Sequence, residues 1–292
     1  MAKRIHVIIN PASGQPQPIL NTINDVFLEL DVTWGVSITK KSGDARRFAE
    51  MAAAEGADVV AAYGGDGSVM EVAHGLMGTD VPLAILPGGT ANLMSVELGI
   101  PRKLEDAALV ACSDASIIKE VDMGSAGEHI FMLRVGIGFP AEKVILADRD
   151  LKDKYGLAAY TIAALKALKT SKEVLYIINL DGEQIKVKGV GCRVDNSSNI
   201  GVPGVSLNPN TDVSDGYFDV LVWRDIDHSL SSVFDSIKNK GAKENIYHHW
   251  RGKEITINSD PPQSIQGDGE VWDPTPISIK VLPGAMRVLV PE

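Results

Sequence analysis

Through the first third of the chain, short apolar runs alternate with glycine-rich breaks and with apolar positions at helical spacing. Residues 5–9 read as a strand that leads into Asn10-Pro11-Ala12-Ser13-Gly14. Residues 44–55 form an alanine-rich helical pattern, and 58–63 a buried strand that meets Gly64-Gly65-Asp66-Gly67-Ser68. Helical spacing then runs through Met77. A third strand, 82–86, ends in Pro87-Gly88-Gly89-Thr90-Ala91-Asn92 and a further helix. A repeated strand, glycine-rich loop and helix predicts an open parallel α/β sheet, whose ligands gather at the carboxyl ends of the strands.

After about residue 125 the texture changes. One helical pattern remains, at 155–170; around it lie β runs at 174–180, 185–194, 217–223, 254–258, 277–281 and 287–290. Asp181-Gly182 between the first two is a strong hairpin signal. The expected fold is therefore α/β plus β, with an α/β domain at 1–125 and a mainly antiparallel β domain at 126–283. The closing segment, 284–292, is expected to pack back on the first domain.

Composition narrows the function classes. Of 292 residues 45% are apolar and 23% charged, an ordinary globular balance. No apolar run reaches the roughly 18 residues of a membrane-spanning helix, and the start, Met1-Ala2-Lys3-Arg4-Ile5-His6, runs straight into a strand. A cytoplasmic protein is the expectation. Cys112 and Cys192 are the only cysteines, each in an apolar stretch, which speaks against a zinc site or a disulfide framework. The net charge of −10 lowers the expectation of a nucleic-acid partner. It also means that peripheral contact with an anionic membrane needs a local basic or apolar surface. Lys152, Lys154, Lys166, Lys169 and Lys172, against Asp153 alone, mark where such a surface could be. The commoner reading of such a stretch is a core-facing helix with solvated lysines.

Glycine lets a backbone approach a phosphate and aim several N–H groups at it, and a following helix adds its positive end. Gly64-Gly65-Asp66-Gly67-Ser68 has that arrangement, plus a carboxylate able to engage a nucleotide-bound Mg²⁺. On this segment alone, a tight turn with Asp66 as a cap fits equally well. Neither G-x-x-x-x-G-K-[ST] nor G-x-G-x-x-G occurs. Two S-x-x-K matches, at 37–40 and 116–119, lie in strand-like regions without their companion motifs and read as chance.

Taken in order, the three loops resemble the diacylglycerol kinase catalytic-domain family, which includes bacterial lipid kinases and sphingosine kinases. The likeness extends through Leu98-Gly99-Ile100-Pro101, Gly136-Ile137-Gly138-Phe139, Asp215-Gly216-Tyr217-Phe218-Asp219-Val220 and Asp268-Gly269-Glu270. The resemblance implies a nucleotide-binding α/β domain, a C-terminal β-sandwich that takes the lipid, and ATP and lipid meeting between them. It implies Mg²⁺-dependent transfer of the ATP γ-phosphoryl group to a hydroxyl of a membrane lipid. Asn10, Pro11, Ala12, Ser13 and Gly14 would then surround the nucleotide, with Thr39, Gly65, Asp66, Gly67, Ser68, Val69, Met70, Glu71 and Thr90. Asp66 would join the Mg²⁺ network, with Asp122 a second candidate, and Glu270 of Asp268-Gly269-Glu270 would accept the proton of the lipid hydroxyl, with Asp268 beside it in the catalytic set. A structural Mg²⁺ would sit on the Asp215 carboxylate and the carbonyls of Asp212 and Tyr217.

Plainer roles stay open beside these: a strand-end hydroxyl for Thr39, a cap for Asp122, a solvated strand residue after a hairpin turn for Glu270, and an ion-free turn at 212–217. The chain also departs from the family pattern at Met70, where Asn is usual, at Pro140, where Asp is usual, and at Leu93, where diacylglycerol-type members often carry Asp. Leu93 weakens diacylglycerol as the substrate, and the three departures leave room for a non-catalytic nucleotide- or lipid-binding relative. An NAD kinase shares the Gly-Gly-Asp-Gly loop, but Asn-Pro-x-Ser-Gly and the 215–220 segment argue against it. The oligomeric state is open, a homodimer included.

Overall fold

The structure is a computed structural model that describes residues 3–14, 17–138, 172–202, 205–206, 208, 210–224 and 247–292. The helical pattern at 155–170, the lysines at 152–169, Phe139 and Pro140 lie outside the described residues. The chain divides into two units, Met1–Asp122 with Pro283–Glu292, and Met123–Leu282.

In the first unit the elements run β1 (Arg4–Ile9), α1 (Ile19–Glu29), β2 (Thr33–Ile38), α2 (Asp44–Ala54), β3 (Val59–Gly64), α3 (Asp66–Leu76), β4 (Leu83–Pro87), α4 (Leu93–Glu97) and α5 (Leu104–Cys112). Strand β5 (Ile117–Ala126) follows. The sheet order is β2-β1-β3-β4 with every pair parallel, the predicted open α/β sheet. β3 and β4 are buried along their whole length, which explains why Val59-Val60-Ala61-Ala62 and Leu83-Ala84-Ile85-Leu86 are continuous apolar runs. Helices cover the sheet with apolar stripes: Ile23, Val26 and Phe27 in α1, and Ala45, Ala49 and Ala52 in α2.

In the second unit the strands are β6 (His129–Phe131), β7 (Arg134–Ile137), β8 (Val174–Leu180), β9 (Glu183–Gly189), β10 (Gly191–Asp195), β11 (Asn199–Val202), β12 (Val205–Ser206), β13 (Phe218–Trp223), β14 (Tyr247–Gly252), β15 (Glu254–Asp260), β16 (Ile265–Gly267), β17 (Glu270–Trp272) and β18 (Ile277–Val290). One sheet has the order β14-β13-β10-β7-β16-β17 and is antiparallel throughout. β8, β9, β15 and the N-terminal part of β18 form the facing antiparallel layer. The predicted sandwich is present. Tyr176, Ile178, Ile255 and Ile257 from one layer meet Val135, Val194, Phe218 and Val220 from the other in a single apolar core. β15 alternates strictly between exposed and buried positions, as a strand with one wet face must.

Two strands differ from the sequence expectation. The run at 185–194 is split: β9 pairs with β8, whereas β10 pairs with β13 and β7 in the opposite sheet. The crossing falls at Gly189, where a Cβ would lie 2.5 Å from the Trp223 carbonyl oxygen, and the next N–H, of Val190, donates to that carbonyl. Conversely, 277–281 and 287–290 belong to one strand, β18. Its first part pairs with β15 and its last residues with β4, in parallel, at Val288 opposite Leu83. The turn Asp181-Gly182 has φ of +51° and +92°, the hairpin geometry read from the sequence.

Helix α3 packs on α2 through Gly75, where a Cβ would lie 2.5 Å from the Arg46 carbonyl oxygen and 2.9 Å from the Ala49 Cβ. Helix propensity alone makes Gly75→Ala stabilising by about 1 kcal/mol, whereas overpacking costs about 1–3 kcal/mol. The contact is with backbone, which cannot swing aside, so we expect a net loss of stability. Urea unfolding of the variant checks the sign.

Candidate functional site

The parallel register brings the carboxyl ends of β1, β3 and β4 level, with Ile9 opposite Tyr63 and Gly64 opposite Pro87. The three loops that leave these ends touch through backbone. The Gly88 N–H donates to the Gly64 carbonyl at 2.8 Å. A Cβ on Gly89 would lie 2.5 Å from the Gly65 Cα, and one on Gly14 2.4 Å from the Gly88 carbonyl oxygen. Gly14 also has φ +83°, a left-handed conformation that favours glycine. Side chains add the remaining ties. Asn10 donates from Nδ2 to the Ser68 Oγ at 2.9 Å, and its Oδ1 accepts the Ala12 N–H at 3.0 Å. Asn92 accepts the Gly89 N–H at 2.9 Å and returns a bond to the Gly89 carbonyl at 2.7 Å.

This cluster opens onto the N-terminus of α3, a helix of 11 residues. Asp66 is its first residue and is partly exposed; its Oδ1 accepts the Met94 N–H at 3.1 Å, which ties α3 to the start of α4. The second Asp66 oxygen takes no hydrogen bond among the described residues. Thr90, Pro11, Ala12 and Gly67 are exposed beside it, with Ser13, Gly65 and Ser68 half-buried. Thr39 caps the end of β2, its N–H donating to the Ile9 carbonyl at 2.9 Å.

Three residues of the predicted set have other work in the structure. Val69 is buried on the core face of α3, and Met70 beside it is half-buried. Glu71 reaches away from its own helix to the N-terminus of α2. Its Oε1 accepts the Gly43 N–H at 3.0 Å and the Ser42 hydroxyl at 3.2 Å, and its Oε2 the Ala45 N–H at 3.1 Å. Asp44 shares that terminus, accepting the Lys40 and Lys41 N–H groups. The Lys40 bond, foremost, and the Arg47 guanidinium hold its carboxyl below the usual carboxylate range. Asp122, buried in β5, accepts the Gly284 N–H at 2.8 Å and so anchors the returning chain.

In the second unit, Asp268-Gly269 form the two-residue turn between β16 and β17, with φ of +45° and +96°. The Asp268 carboxylate collects three successive backbone N–H groups, from Met132 at 2.6 Å, Leu133 at 3.0 Å and Arg134 at 2.8 Å. Burial raises its pKa, and these donors pull against the rise. Asp268 thus holds the turn against the start of β7. Glu270 opens the edge strand β17 and is exposed. The turn presents a carboxylate at a defined place and in water.

The two implied Mg²⁺ positions fare differently. Asp66, partly exposed and with one oxygen free of hydrogen bonds among the described residues, fits a hard cation at the glycine loops. Around 212–217 the fit is poor. Asp212 accepts the Ser214 N–H at 3.0 Å, and Asp215 accepts the Tyr217 N–H at 3.0 Å while its other oxygen takes the Arg251 guanidinium. A cation on that carboxylate would sit beside a fixed positive charge.

Sequence reading missed a polar cluster on the inner sheet of this unit. Asp195 and Asp219 lie opposite each other on β10 and β13 and are fully buried. Arg193 pairs with Asp195 at 2.5 Å, and His249 and Asn208 bond Asp219 at 2.5 and 3.0 Å. Burial raises the Asp195 pKa despite Arg193. Its signal in the sequence is Arg193 interrupting the apolar run at 190–194.

Residues 4–126 match the diacylglycerol kinase catalytic domain, and residues 134–290 the YegS C-terminal NAD kinase beta sandwich-like domain. A diacylglycerol kinase of Mycobacterium tuberculosis is 31% identical, over 85% of this chain and 82% of its own length. A protein of Alcanivorax borkumensis named probable lipid kinase YegS-like is 26% identical over 100% of this chain and 98% of its own. A crystal structure described as a diacylglycerol kinase from Bacillus anthracis superposes with a TM-score of 0.82 at 27% identity, covering 99% of this chain and 96% of that one.

Because Glu71 closes the N-terminus of α2, Glu71→Ala is expected to lower stability by about 1–3 kcal/mol through unmet N–H groups. Glu71→Gln, which keeps one acceptor, should lose less. Chemical denaturation of both variants, without nucleotide, checks the order.

Proposed function

This chain belongs to the diacylglycerol kinase catalytic-domain family of lipid kinases, and from that premise we propose that it moves the γ-phosphoryl group of ATP, with Mg²⁺, onto a hydroxyl of a membrane lipid. The observation that carries the reading is the glycine-to-glycine contact of the three loops at Gly14, Gly65, Gly88 and Gly89. It packs three backbone segments at the head of α3 without side chains to fill the space, an arrangement suited to a polyphosphate.

In this reading the Asn10–Gly14, Gly65–Ser68 and Thr90 segments hold the triphosphate, and Asp66 binds the metal. When bound, Mg²⁺ supplies positive charge that offsets the phosphate oxygens. Glu270 takes the proton from the lipid hydroxyl, whose oxygen forms the new bond to the γ-phosphorus as the bond to the β-phosphate oxygen breaks and ADP leaves. An exposed carboxylate on a turn fixed by Asp268 suits that role, because no side-chain partner among the described residues has to release it.

The acceptor is a lipid alcohol, with diacylglycerol, phosphatidylglycerol and sphingoid bases as the candidate classes. Leu93, at the first position of α4, stands where an acid is usual and supports a lipid other than diacylglycerol. Among the described residues no helix is long and apolar enough to cross a membrane, so peripheral contact is the proposed mode of access.

The test is transfer of label from γ-labelled ATP to a panel of those lipids in vesicles with Mg²⁺. Wild type should label at least one lipid. Glu270→Gln should reduce the rate by about 10²–10⁴-fold with an unchanged unfolding temperature, since the side chain is exposed. Absence of lipid-dependent labelling, or full activity of Glu270→Gln, would contradict the proposal.

A further inference from the structure

We propose that Arg251 takes the place of a structural divalent cation at the 212–217 turn, so that this turn is held by a protein charge and its stability is independent of Mg²⁺. The β13–β14 register sets Arg251 opposite Asp219. From there its guanidinium reaches the Asp215 carboxylate, with its Nε 3.7 Å from the Asp219 carboxylate and its Cζ 5.0 Å from the centre of the Tyr217 ring. Lys253, two residues on, places its Nζ 4.5 Å from the same ring. Arg251 therefore faces both Asp215 and Asp219, and Lys253 adds a second cation over the Tyr217 ring. The remaining Asp215 oxygen accepts the Tyr217 N–H, and the Asp212 side chain folds back on Ser214.

A divalent ion brought to the Asp215 carboxylate would meet Arg251 on the same group, and the repulsion between like charges works against its entry. Arginine suits the substitution physically: its planar fork reaches two carboxylates, stacks on an aromatic face and stays charged at every relevant pH. An ion of the divalent class would instead need the carboxylate and the neighbouring carbonyls to itself. The inference goes beyond the phosphoryl-transfer reading and does not depend on it.

Thermal unfolding of the full chain without nucleotide, in millimolar MgCl₂ and in EDTA, tests it. Wild type and Asp215→Asn should show the same response to Mg²⁺, because any shift arises elsewhere in the protein. Arg251→Gln should be less stable in EDTA and should recover by several degrees in Mg²⁺, a gain that adding Asp215→Asn removes. A Mg²⁺-dependent rise in wild type that Asp215→Asn abolishes would overturn the proposal. So would a folded Arg251→Gln with no added response. If Arg251→Gln fails to fold, the comparison of wild type with Asp215→Asn still decides.

Discussion

Close backbone approach at the carboxyl edge of the parallel sheet is the constraint on which the first unit depends. Gly64, Gly65, Gly88 and Gly89 bring two strand-to-helix connections within van der Waals contact, and Gly14 adds the third. A side chain at Gly89 would strike the Gly65 Cα, so the contact is a matter of steric allowance rather than attraction. What attraction there is comes from short polar ties, Asn10 to Ser68 and Asn92 to Gly89, which are modest singly and act together on three loops. Asp66 belongs to this frame as well as to the surface, since one oxygen steadies α4 and the residue is partly exposed.

The second unit solves a different problem. Its sandwich encloses an apolar core of aliphatic and aromatic side chains, and exposed polar groups lie at its edges. The Asp268-Gly269 turn does this by an anion clamp: one carboxylate gathers three N–H groups where β6 passes into β7, and the next acidic residue, Glu270, is left in water. Two acids of the same motif, separated by one residue, thus have opposite environments. One acid positions the turn, and the other is exposed.

Much of this was legible in the residues. Continuous apolar runs at 59–62 and 83–86 announce strands covered on both faces, and Asp181-Gly182 announces its hairpin. The ordered glycine loops carry the family resemblance. What escaped follows from long-range partnership. Nothing local in 185–194 says that Gly189 crosses between sheets, because the partner is Trp223. Glu71 reads as part of a phosphate loop, yet its acceptors serve α2, 26 to 29 residues away in sequence. Arg251 on Asp215 is invisible until β14 is laid against β13. The Asp195–Asp219 pair is hidden for the same reason, each acid being unremarkable on its own strand.

The most direct measurement is calorimetric titration of a non-hydrolysable ATP analogue, with Mg²⁺, into wild type and Gly89→Ala. Wild type should bind, and the variant should remain folded by circular dichroism yet lose at least about tenfold in affinity, which is about 1.4 kcal/mol. Equal affinity of the two proteins would contradict a phosphate cradle built on glycine contact.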